Sequence, residues 1–237
     1  MAQRRAREAI HDFADPGRSK VALAYRELKR SIVAGELPPG AAIDKSELCV
    51  SLGVSRLTMT VAINRLAHEE LVVVAPQRGS YVAPIRPDEV RQLMRLRIAL
   101  EAEAASALAE GPGRPRFLAF AHRSLAYQRA ALEVKDLERF YELDVELHRE
   151  MIAESELPKF NDALDPMRAH LDRVRRLMQT IPGRVYGTLA EHEQLVAGIA
   201  SGDPARAAHG LRAHLESAMT YFVTVANEQQ AEITTAE

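Results

Sequence analysis

The strongest constraint on this chain is where its β-like sequence stops. Val72-Val73-Val74 and Ser80-Tyr81-Val82-Ala83 read as two strands joined through Pro76-Gln77-Arg78-Gly79. From Asp88 onward the apolar residues recur every three or four positions, the period of a helix with one buried face. Short breaks divide that stretch: Gly111-Pro112-Gly113 with Pro115, Val134 to Asp136, Leu157-Pro158, Ile181-Pro182-Gly183 and Ser201-Gly202-Asp203-Pro204. About six helices result, and the chain as a whole reads as mainly α. The 237 residues suit two modest domains, split by a short linker at Pro84 to Pro87.

The part before the linker has its own order. Residues 1–18 are charged, end in Asp15-Pro16-Gly17 and read as a flexible arm. Val21, Tyr25, Leu28 and Ile32 make the apolar stripe of a first helix over 19–34, which Gly35 and Pro38-Pro39-Gly40 stop. Two shorter helices follow, over 45–52 and 56–69. Gly53 sits between them in the turn, Val54 points inward, and Ser55 is placed to cap the second. Leu48, Leu52, Ile63 and Leu66 are the expected core. Helix, helix, turn, helix and two-stranded wing make a winged helix-turn-helix over 19–84, an architecture that lays its third helix in the major groove of DNA.

Net charge, -2 overall, does not suit that partner until it is divided. Residues 1–85 hold 12 Lys and Arg against 9 Asp and Glu, a balance of +3, which leaves -5 for the remainder. The expected contacts to double-stranded DNA are Lys45 and Ser46, then Ser55, Arg56, Thr58 and Thr60 on the third helix, and Arg78 with Gly79 at the wing tip.

In the helical part, Asp144 and His148 lie four residues apart on one helix face, while His192 and His214 fall on two later helices among apolar residues. Such a set could hold a borderline divalent ion, zinc first, with nickel, manganese or iron as alternatives. Spacing by itself serves three packed core histidines equally well. Residues 85–228 form the expected helical domain, and 229–237 a polar tail. A single cysteine, Cys49, allows no internal disulfide and fits a reducing compartment. No apolar run approaches the roughly 20 residues of a membrane span, and no apolar stretch follows the charged start, so a cytoplasmic location is expected.

YRELKRSIVAGELPPGAAIDKSELCVSLGVSR, followed by NRLAHEELVVVAPQRGSYV, resembles the DNA-binding domain of the GntR family across Tyr25 to Val82. The segment from Asp88 to Asn227, with its D-x-x-x-H pair and later EH and AHL histidines, resembles the metal-binding kind of FadR C-terminal (FCD) domain. The resemblance implies a ligand-responsive regulator, a repressor in direction, acting as a homodimer on a two-fold operator. It makes Asp144, His148, His192 and His214 the metal ligands, with Arg97 facing the pocket of a small organic acid effector. His122, His170 and His209 match no ligand position. Arg97 is also suited to an ordinary ion pair. Thr60 stands where the family often has an arginine, which puts the usual operator sequence in doubt. Two other functions compete: a DNA-binding dimer without an effector, and a metal-dependent hydrolase. An enzyme is not expected, since Glu191 and Glu193, the acids beside His192, are better explained by hydrogen bonding or solvent than as a general base.

Overall fold

The computed structural model describes residues 19–179 and 184–235 of the chain. Two compact units divide between Ile85 and Arg86, one residue from the expected boundary. The expected arm over 1–18 and the Ile181-Pro182-Gly183 break lie outside the described residues.

In the first unit, α1 (Lys20–Val33), α2 (Lys45–Ser51) and α3 (Arg56–His68) precede β1 (Val72–Ala75) and β2 (Gly79–Val82). Each helix starts on a side chain that satisfies a backbone N–H left without an intrahelical partner. Ser19 accepts from Ala22, Asp44 from Ser46 and Glu47, and Ser55 from Thr58. Gly53 has φ +61°, the left-handed turn expected between α2 and α3. The core joins Leu28 and Ile32 of α1 to Met59, Ile63 and Leu66 of α3, with Val54 beneath the turn. Leu48 and Leu52, expected in that core, are only half-buried. The seven-residue α2 buries no side chain fully, since it packs chiefly on α3.

The strands are antiparallel, with Val72 opposite Val82 and Ala75 opposite Gly79. The wing also has a third contributor. Ile43 N–H donates to Ser80 O (2.8 Å) and Val82 N–H to Ala41 O (2.9 Å), giving an isolated bridge between Ala42 and Tyr81. A single bridge is too short to leave an alternating pattern, so the sequence does not announce it.

The second unit has six helices among the described residues: α4 (Pro87–Glu110), α5 (Arg114–Glu133), α6 (Leu137–Glu154), α7 (Lys159–Gln179), α8 (Arg184–Ala200) and α9 (Pro204–Thr235). Their boundaries follow the Pro, Gly and Asp breaks. Pro87 occupies the first turn of α4, Asp136 caps α6, and Asp203 accepts from Ala205 and Arg206 at the start of α9. One boundary differs from expectation: α9 runs through Thr235, so the polar tail expected from residue 229 is largely helical. Ala, Gln and Glu favour helix even where no apolar face requires one. No single helix among the described residues is long and apolar enough to cross a membrane.

The approach of α8 to α9 depends on two glycines. A Cβ on Gly198 would stand 3.1 Å from Arg206 O, and one on Gly210 would stand 3.3 Å from Leu195 Cα. These contacts are tight enough that alanine would push the helices apart. Close packing there brings His192 of α8 within 4.6 Å of His214 of α9, ring centroid to ring centroid.

Candidate metal centre and nucleic-acid interface

Asp144 and His148 occupy successive turns of α6, and both face the interior because Leu143, Leu147, Met151 and Ile152 define the buried side of that helix. Leu189, Leu195, Val196 and Ile199 set the same constraint for His192 on α8, and Leu211 and Leu215 do so for His214 on α9. The four side chains are buried, and one donor atom from each lies within 4.8 Å of the others. Asp144 Oδ1 is 3.0 Å from His192 Nε2 and 3.7 Å from His148 Nε2, and His148 Nε2 is 3.3 Å from His214 Nε2.

The outer nitrogen of each ring explains this convergence. His148 Nδ1 lies 2.6 Å from Glu101 Oε2, His214 Nδ1 lies 2.8 Å from Glu191 Oε2, and His192 Nδ1 lies 2.8 Å from Gln128 Oε1. Carboxylate and amide oxygens only accept, so each Nδ1 carries the proton, and each Nε2 lone pair turns inward. Gln128 is itself oriented by donating from its amide nitrogen to Ser124 Oγ at 3.2 Å. Burial pushes His148 below its ordinary pKa and His214 down to about 3, despite the carboxylates beside them. Those two rings are therefore neutral at neutral pH, the form that binds a cation.

Burial alone would raise the pKa of Asp144, but Arg175 holds its carboxyl well below the usual range; Arg175 Nε is 3.2 Å from Asp144 Oδ2. His192 Nε2 and Asp144 Oδ2 are nevertheless buried without a hydrogen bond. Three inward lone pairs and a carboxylate oxygen repel one another unless a positive charge lies among them, and buried polar atoms are rarely left unsatisfied. One carboxylate oxygen and three imidazole nitrogens therefore fit a divalent ion of the zinc type.

Every helix of the unit contributes to this region. Glu101 and Arg97 come from α4, Gln128 from α5, Arg175 from α7 and Glu191 from α8. Arg97 is buried, and its Nε donates to Glu101 Oε1 at 2.7 Å. It thus occupies the pocket wall and an ion pair at once. A cavity of about 620 Å³, counting space open to solvent, adjoins the centre and is lined by Arg97, Tyr141, Asp144, Arg175, Arg184 and His214 among apolar neighbours. Asp144 and His214 belong both to the donor set and to the cavity wall. Glu191, expected only to hydrogen-bond or face solvent, holds His214 and pairs with Arg184. Glu193 pairs with Arg129 at the surface. His122 and His209 are exposed, His170 is half-buried, and none joins the donor group.

In the first unit, Ser55, Arg56, Ser46, Arg78 and Gly79 are exposed, while Lys45, Thr58 and Thr60 are half-buried. Arg56 Nη2 donates to Ser46 Oγ at 3.3 Å, and Ser55 Oγ lies 2.8 Å from Thr58 Oγ1, so the start of α3 and the start of α2 share one surface. Arg78 and Gly79 lie at the β1–β2 turn, where Arg78 N–H donates to Ala75 O. Thr60 turns its hydroxyl back onto Arg56 O at 2.8 Å.

Residues 21–82 match the family model described as "Bacterial regulatory proteins, gntR family", and residues 92–217 match that of the FCD domain. The chain is 30% identical over 203 residues to an uncharacterized HTH-type transcriptional regulator in an unstable DNA locus of Streptomyces ambofaciens, covering 85% of this chain and 84% of that one. It is 29% identical over 192 residues to the HTH-type transcriptional repressor RspR of Escherichia coli K12, covering 81% and 84%. Among solved structures, E. coli McbR/YncC superposes with a TM-score of 0.74 at 20% identity, over 88% of this chain and 99% of that one. A GntR-type putative regulator from Rhodococcus sp. RHA1 superposes with 0.72 at 20% identity, over 86% and 97%. At these identities the structural likeness speaks to the fold alone.

Proposed function

Because this chain belongs to the GntR family of bacterial regulatory proteins and carries an FCD domain, and so is a DNA-binding transcriptional regulator rather than an enzyme, we propose that Asp144, His148, His192 and His214 hold a divalent cation, zinc first, and that a small organic acid binding beside it changes operator affinity. The observation that carries this reading is the outward anchoring of all three rings, which leaves three Nε2 lone pairs facing one buried carboxylate. When bound, the cation supplies a Lewis-acidic position for an oxygen of the acid.

The protein's own groups do the rest. Arg97 offers a guanidinium that can hold the acid's carboxylate in a bidentate pair, with Glu101 keeping that guanidinium in place. Tyr141 and the apolar walls close around the body of the acid. An effector shifts DNA binding only if it prefers one conformation of the protein over another. Relief of repression is the direction proposed, in keeping with the relative that is named a repressor. Two copies acting on a two-fold operator complete the reading, with Ser55, Arg56 and Thr58 at the start of α3, Lys45 and Ser46 on α2, and Arg78 with Gly79 at the wing tip meeting DNA.

Elemental analysis of the purified protein tests the centre, and a thermal-shift screen of small organic acids tests the effector. About one ion per chain is expected, and an acid that binds at 100 times its Kd should stabilise the loaded protein by about 2.7 kcal/mol. The acid's effect should vanish after chelation. Stoichiometric metal with no acid shifting the melting temperature would leave a structural ion only, and absence of metal would overturn the centre. Separately, Arg56→Ala should weaken operator binding by about 10-fold or more while leaving metal content intact, as measured by footprinting titration.

A further inference from the structure

The first two turns of α3 carry an unusual outward face for a helix that enters DNA. Met59, Ala62, Ile63 and Leu66 are buried. At about 100° per residue, the opposite side is centred on Leu57, Val61 and Asn64. Leu57 is 74% exposed and Val61 45% exposed. They stand one turn apart, so their methyl groups form one apolar strip. Thr60 flanks the strip; with its hydroxyl bonded to Arg56 O, its methyl is the part left to meet a partner.

Charge is scarce on this face. Arg56, at the start of α3, is the one cation in those two turns. Arg65, further along, lies over the Tyr25 ring at 3.8 Å and pairs with Glu69 at 3.4 Å, which commits it to the fold. Over the first two turns the centre of the face thus offers methyl groups where a base edge would otherwise meet donors and acceptors, and the exposed amide of Asn64 follows only after them. In the major groove the apolar feature of a base pair is the C5-methyl of thymine.

Resting on the reading of α3 as the DNA-entering helix, we infer that Leu57 and Val61, with the Thr60 methyl, select thymine in each half-site by contact with its 5-methyl group. Arg56 remains as the charged reader and phosphate contact at the start of α3. The helix discriminates at its centre by apolar fit, and the half-site is correspondingly rich in A·T pairs beneath the first two turns.

The test selects duplexes from a random-sequence pool with the full-length, metal-loaded protein, then replaces each enriched thymine by deoxyuridine, which removes only the methyl group. At one or more thymines per half-site, dU should weaken binding about three- to fivefold, the effect of one buried methyl-sized group. At that position Leu57→Ala or Val61→Ala should bind T and dU duplexes equally. Both side chains are exposed, so both variants should keep the wild-type melting temperature, and the dU series needs no variant. Enrichment of a sequence without any dU penalty, or a penalty undiminished in both variants, overturns the inference alone. Failure to enrich any sequence, with Arg56→Ala binding DNA as well as wild type, overturns the reading of α3 and the inference together.

Discussion

His192→Ala should lower metal affinity by more than about 100-fold, above the 10- to 100-fold typical of residues that only orient a ligand. The expected size follows from the geometry. His192 Nε2 is buried without a hydrogen bond and lies 3.0 Å from Asp144 Oδ1, so a cation held there would be shared by a ring lone pair and a carboxylate oxygen. Alanine removes one of the four donors, and among the described residues the group has no fifth member to replace it. Elemental analysis and competition with a coloured chelator would read the loss. The melting temperature should fall at least to that of the chelated wild type, since metal that binds only the folded state adds stability by mass action and the buried ring with its Gln128 bond is lost as well. Full metal content with unchanged affinity would remove His192 from the centre.

Glu101→Ala should cost about 3–5 kcal/mol of folding stability, the usual penalty for leaving one member of a buried ion pair alone. Glu101 is 1% exposed and holds two partners at once, Arg97 Nε at 2.7 Å and His148 Nδ1 at 2.6 Å. Its own carboxyl resists ionisation through burial, yet Arg97 and His148 hold it below the ordinary carboxylate range. Alanine leaves the Arg97 guanidinium buried and unpaired and frees the His148 ring to change tautomer. Urea denaturation would measure the first effect, and a chelator competition the second, expected as a 10- to 100-fold drop in metal affinity. Arg97→Ala with Glu101→Ala separates them: stability should partly return because no orphan cation remains, while metal affinity stays low. Equal recovery of both would mean that Glu101 does not orient His148.

Much of this organisation is legible in the sequence. The six-helix unit follows from its breaks, and the winged head from its order of elements. Glu101 and Gln128 also left a signal. Each is a polar residue on an apolar stripe, Glu101 between Ile98 and Ala105 and Gln128 between Leu125 and Ala131. A polar residue at core spacing implies a buried partner, but the stripe does not name it. Arg97 and Glu101, four residues apart, look the same in sequence as a solvated surface pair. Leu48 and Leu52 erred the other way, having the period of a core and only half of its burial, because α2 lies at an edge.

What the residue pattern determined by itself was everything carried by neighbours within about one helical turn: which segments are helical, where caps and glycines end them, and that Asp144 and His148 share a face; the full donor set entered only as what the family resemblance implies. The tertiary structure alone decided what met across long separations. His148 reaches Glu101 over 47 residues, His192 reaches Gln128 over 64, and His148 reaches His214 over 66. Those meetings set the tautomer of each ring and turn three ordinary core histidines into a converging donor set. The physical reason is that helix periodicity orients a side chain relative to its own axis, whereas the partner it finds there depends on how closely the helices pack, as Gly198 and Gly210 allow between α8 and α9.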